Sequence, residues 1–160
     1  MENFILFAAT RFGLSPADAR VLAGALLWVM QLQVGDDFAC VHALDPEVRR
    51  LVERAPAALA RARRSEDGRD RSLPGSVSRG RVCGTQAALL RLFAHHGFSL
   101  ARAGRFSRSL LDWLSIEVGA QPLRVMIEQT PVLGLLLAPV AQRDSRPLVR
   151  VERAPLRLSA

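Results

Sequence analysis

Lysine and tyrosine are absent from this 160-residue chain, and cysteine occurs only twice. All 22 basic residues are therefore arginine. A surface built to meet phosphates normally draws on both basic residues, one as a planar fork and the other as a point charge. Wholesale use of arginine beside abundant Ala and Leu reads instead as GC-rich coding bias, which weakens the net charge of +7 as a sign of a nucleic-acid partner. Two cysteines, Cys40 and Cys83, exclude a disulfide-stapled framework, and nothing points to an oxidising compartment. Cys40 lies in an apolar stretch and reads as a small core residue. No apolar run approaches the roughly 20 residues that span a bilayer; the longest are 21–30 and 132–141. The opening MENFILFAA has Glu2 where an export signal carries positive charge, so a cytoplasmic protein without a transmembrane segment is expected. Also missing are a G-x-S-x-G elbow, a phosphate-cradling glycine loop and a Cys-x-x-Cys pair.

What remains is a chain 49% hydrophobic and 23% charged, enough for a packed core under an ordinary globular surface. The length allows one domain, or two very small ones sharing a core. An internal repeat organises it. The stretch GLSPADARVLAGALLWVMQLQVG (13–35) aligns without a gap on GFSLARAGRFSRSLLDWLSIEVG (97–119). The matching positions are mechanical ones. Gly13 and Gly97 suit a left-handed cap that closes a first helix. Ser15 and Ser99 suit the N-cap of the next, with Pro16 at its first position. That long helix stops at Gly35 or Gly119. One residue out of register, Asp45-Pro46 and Thr130-Pro131 each join a capping side chain to a proline, the opening of a further helix.

The pattern predicts helices over 2–12, 16–34, 37–43, 46–63, 86–96, 100–118, 121–129 and 131–138. The expected fold class is all-α, two pseudo-repeated helical units packed into a compact bundle. Unit 1 spans 1–64, a polar linker 65–84, unit 2 85–139, and a loosely ordered Arg/Pro-rich tail 140–160. In the tail, Val149 and Val151 alternate with charges and hint at a brief extended piece. Val21, Leu22, Ala25, Leu26, Val29 and Leu32 form an apolar stripe, as do Phe106, Leu110, Trp113 and Leu114. Leu26 and Leu110 are expected in equivalent interior positions. The helix opening at Pro131 is apolar on every side, which requires that it be enclosed. Leu133, Leu136 and Leu137 are therefore expected at the seam between units or at a partner interface.

The segments FGLSPADARVLAGALL and VGDDFACVHALDPEVRRLVERAP resemble the VcgC/VcgE type, a family of uncharacterised bacterial helical proteins. The likeness lies in a Gly-Leu-Ser turn, a long Ala/Leu helix, an acid pair before Phe38, and a helix from Pro46 that ends near Ala55-Pro56. It extends more loosely over 90–137 and covers about two-thirds of the chain. The resemblance implies an all-helical fold and carries over no activity, cofactor or catalytic residue. Members often begin with an export signal, from which this chain departs.

Each candidate for chemistry has a plainer reading. Adjacent His95 and His96 diverge by about 100° on a helix and cannot close on one metal as an i, i+4 pair does. His42 has only Cys40 near it. Asp36 and Asp37 sit where carboxylates favour the free amides of a short helix. FGLSPADARVLAGAL looks like the first helix of a LuxR-type DNA-binding domain, but the residues that follow are apolar and acidic rather than a recognition helix. Arg102, Arg105 and Arg108 lie three apart on one long helix. With Arg61, Arg63, Arg64, Arg69 and Arg71 they are the candidate anion contacts. Residues 1–45 sum to −3, so the remainder is +10.

The resulting expectation is a non-catalytic protein-interaction or structural module with no cofactor and no metal, associating with a protein partner or with itself. The alternative is a non-specific anion or nucleic-acid binder acting through the Arg-rich second half.

Overall fold

Glycine and serine punctuation is converted into eight α-helices among the described residues, 1–64 and 84–138 of a computed structural model. They are α1 (Glu2–Phe12), α2 (Pro16–Val34), α3 (Ala39–His42), α4 (Pro46–Arg64), α5 (Gly84–His95), α6 (Leu100–Val118), α7 (Ala120–Glu128) and α8 (Pro131–Leu137). A 3-10 turn, Gly35–Phe38, leads into α3. No strand occurs among the described residues, and the fold is all-α. The linker over 65–83 and the tail from 139, including Val149 and Val151, lie outside the described residues; Gly84, expected in the linker, opens α5.

The caps act where the sequence puts them. Gly13 and Gly97 take φ of 57° and 73°, a left-handed turn open to glycine at no steric cost. The Ser15 hydroxyl accepts from the amide of Asp18 at 3.0 Å, and that of Ser99 from the amide of Arg102 at 3.3 Å. Asp45 accepts from the amide of Glu47 at 2.8 Å and so opens α4. Thr130 departs from the expected cap. It is fully buried, and its hydroxyl turns back to donate to the carbonyl of Met126 at 2.7 Å. α4 also departs from the resemblance by running through Pro56 instead of ending there. Pro56 faces solvent, where water can meet the carbonyl its missing N–H leaves unpaired.

One hydrophobic cluster joins both halves of the chain. α2 lies at its centre, packed by α1, α4 and α5. Its expected stripe is an underestimate: Ala23, Gly24, Leu27 and Met30 are buried as well, while Leu32 is 53% exposed. α5 packs on α4 and α2 more than on α6, and α1 reaches across to α6. At that crossing the Phe106 ring has those of Phe4, Phe12, Phe93 and Phe98 at centroid distances of 6.0, 5.4, 5.7 and 5.9 Å. Leu26 and Leu110 are both fully buried.

Helix α8 corrects the expectation of an enclosed helix. Val132, Leu133 and Leu136 face inward, but Leu135 is 43% exposed. Two turns lying on α6 and α7 can bury only one side. The most deeply buried helix is α2. Where α4 crosses α2 and where α8 crosses α6, a glycine lies under a backbone carbonyl. A Cβ on Gly24 would stand 2.6 Å from the Leu51 oxygen, and one on Gly104 2.2 Å from that of Leu136.

Candidate functional site

Because Gly24 lets α4 settle closely on α2, the small residues flanking that crossing leave a groove. Ala17 and Val21 of α2 and Leu51, Ala55 and Ala58 of α4 make an apolar floor, and Arg20, Arg54 and Arg61 stand round it. The hollow measures about 420 Å³. It continues past Val21, Ala58 and Arg61 into a second hollow of about 320 Å³, closed by Leu92 and His95 of α5 and by His96 just beyond it. The floor exists because α4 alternates cleanly. Val48, Leu51, Val52, Ala55, Ala58 and Leu59 turn inward, whereas Arg50, Glu53, Arg54, Ala57 and Arg61 turn outward.

The charges round the groove are unequal. Arg20 is held by Glu2 and, at 3.9 Å, by Glu47, so its charge is largely shared within the fold. Arg54 is exposed and has no ion-pair partner among the described residues. Arg61 follows it by seven residues, about 10.5 Å along the same side of the helix. At the far end, His96 Nδ1 lies 3.4 Å from Asp18 Oδ1. Burial pushes the His96 imidazole below its usual 6.5, Asp18 opposes that, and neighbouring His95 adds to it.

The sign of the resulting pH dependence follows. As pH falls through 6.5 the unfolded chain takes up its proton before the folded chain does, so folding weakens on acidification until the folded imidazole also titrates. Melting temperature should therefore drop between pH 7 and pH 5. A His96→Gln variant followed by circular dichroism should lose part of that slope, and an unchanged slope would contradict the assignment.

The residues singled out from sequence are dispersed. Leu133 is fully buried and Leu136 3% exposed, both against the chain's own helices, which removes them as a partner interface; Leu137 is half-buried. Arg102 donates to the carbonyl of Phe12 and lies over the Phe98 ring, 4.6 Å from its centroid. Arg108 donates to the Leu137 carbonyl at 3.3 Å and thereby caps α8. Of the expected anion trio only Arg105 is left to solvent without such a contact. The side chains of Arg63, Arg64, Arg69 and Arg71 lie outside the described residues.

Asp36 and Asp37 are exposed in the 3-10 turn and make no side-chain cap. Cys40 is exposed, not buried, because Phe38 and Val41 take the inward positions there; its thiol donates to the Asp37 carbonyl at 3.3 Å. His42 packs edge-on against Phe38 at 5.2 Å, with a buried Nε2 that has no hydrogen-bond partner among the described residues. Among the described residues no group of three or more His, Cys, Asp or Glu is placed to hold a metal ion, and no helix is long and apolar enough to cross a membrane.

The groove itself was missed from sequence. Its signal was the run ERAPAALAR, in which two arginines seven apart bracket alanines on one helical side. No protein-family model, curated protein or solved structure matches the chain.

Proposed function

We propose that this chain is a non-catalytic helical module that binds protein partners, and that the groove between α2 and α4 takes an acidic amphipathic helix. The observation that carries the reading is an open, alanine-floored groove edged by Arg54 and Arg61. Small floor residues admit a close-lying helix, as in other helix-in-groove recognition. An acid on a partner helix meets Arg54, while the apolar side of that helix meets the floor. The pseudo-repeat belongs to the same proposal. Its support is the matched Gly13/Gly97 turns and the matched Ser15/Ser99 caps. The VcgC/VcgE-type resemblance and a cytoplasmic location remain proposals compatible with an all-helical chain. The anion-binding alternative loses Arg102 and Arg108 to carbonyl contacts within the fold.

A fluorescein-labelled amphipathic helical peptide with leucines on one side and a glutamate beside them tests this by anisotropy. Saturable binding is expected, weakened about tenfold or more by Arg54→Glu and abolished by Ala57→Trp, which fills the groove from an exposed position. Binding indifferent to both variants, or equal binding of a labelled DNA duplex that falls steeply with salt, would overturn the reading.

A further inference from the structure

On another face of the molecule, α1 and α6 leave a hollow of about 340 Å³ whose floor is Phe4 and Trp113. Its edges carry large apolar side chains that the fold does not cover: Phe7 is 47% and Ile116 81% exposed. Two charges of opposite sign flank it, Arg11 from α1 and Asp112 from α6. The Arg11 guanidinium lies over the Phe7 ring, 5.6 Å from its centroid, which keeps it beside the hollow. Neither Arg11 nor Asp112 has an ion-pair partner among the described residues.

We infer that this face is a two-fold interface between two copies of the chain, in which Arg11 of each copy meets Asp112 of the other across a centre formed by Phe7 and Ile116. The charge pattern selects the occupant. In an isologous interface whatever residue i offers to residue j is returned by symmetry, so a face carrying one cation and one anion beside an apolar centre is complementary to itself. A partner of single charge sign would pair one of the two and leave the other without a counter-charge. An apolar side chain as open as Ile116 gains by entering the partner's hollow over Trp113.

Sedimentation equilibrium on the full chain tests the inference, and the expected species is a dimer. Arg11→Asp and Asp112→Arg should each raise the dimer dissociation constant about tenfold or more. The double variant, which exchanges the charges, should return it to near the parent value. Ile116→Glu should abolish the dimer. At a concentration where the parent is monomeric, circular dichroism melts should be unchanged for Asp112→Arg and Ile116→Glu, both exposed, and only slightly lowered for Arg11→Asp, which puts an acid in the last turn of α1. A parent chain that stays monomeric at the highest soluble concentration overturns the inference, as does a dimer indifferent to the single reversals or a double variant that fails to recover. Arg54→Glu should leave the dimer intact, so the outcome is independent of the helix-binding groove.

Discussion

Phe106→Ala should destabilise the protein by about 3–5 kcal/mol, the range for removing a large buried aromatic. The ring is fully buried and has four other phenylalanine rings within 6.0 Å, drawn from α1, α5 and the turn that precedes α6. Three of the four contacts are edge-on or nearly so, which adds a modest electrostatic gain to the area buried. The position also joins the two halves of the chain, since Phe4 and Phe12 come from the first and Phe93 and Phe98 from the second. The lost ring leaves a cavity that four rigid neighbours cannot easily fill. Urea denaturation measures the effect, and Phe106→Leu should recover part of it. A loss below about 1 kcal/mol for the alanine variant would mean that the cluster is not packed as described.

A Gly104→Ala substitution should cost about 1–3 kcal/mol, the range for forcing an extra methyl group into a packed crossing. Alanine is normally the better helix residue by about 1 kcal/mol, so the sign of the effect is itself informative. The new Cβ would stand 2.2 Å from the Leu136 carbonyl oxygen, a backbone atom that moves only if α8 moves. Gly24→Ala meets the Leu51 oxygen at 2.6 Å and should cost a similar amount. Gly134 in α8 is the control. Nothing lies within 4 Å of its added Cβ, so Gly134→Ala should be neutral or stabilising by up to about 1 kcal/mol. Thermal melts of the three variants decide the matter, and three equal effects would sink the account of the crossings.

Much of the fold was legible because helix ends are local events. Gly13, Ser15, Asp45, Gly97 and Ser99 act through bonds to residues within a few positions of themselves, and a local rule reads them correctly. Thr130 misleads because it combines cap chemistry with complete burial, and a buried hydroxyl takes the nearest carbonyl. Cys40 misleads because an apolar neighbourhood in sequence says nothing about which side of a four-residue helix faces the core.

The candidate sites were far less legible. Two arginines six apart look free on a helix drawn alone, yet Arg102 reaches the end of α1, 90 residues away in sequence, and Arg108 the end of α8. The two grooves required knowledge of which helices lie side by side. Arg54 and Ala57 could be placed on one side of α4 from their spacing, but Ala17 and Val21 join them only because α2 lies beneath.

Helix positions, most of the caps and the all-α class were therefore determined by the sequence itself, since they depend on residue types a few positions apart. Tertiary structure alone decided that α2 rather than α8 is the most deeply buried helix. It likewise decided that Leu133 and Leu136 are consumed by the chain's own core, and that Phe7, Ile116, Arg11 and Asp112 share one exposed face. The physical reason is that burial belongs to a pair of surfaces. An apolar helix side says that it needs a cover, and only the packed neighbours say whether the chain provides one.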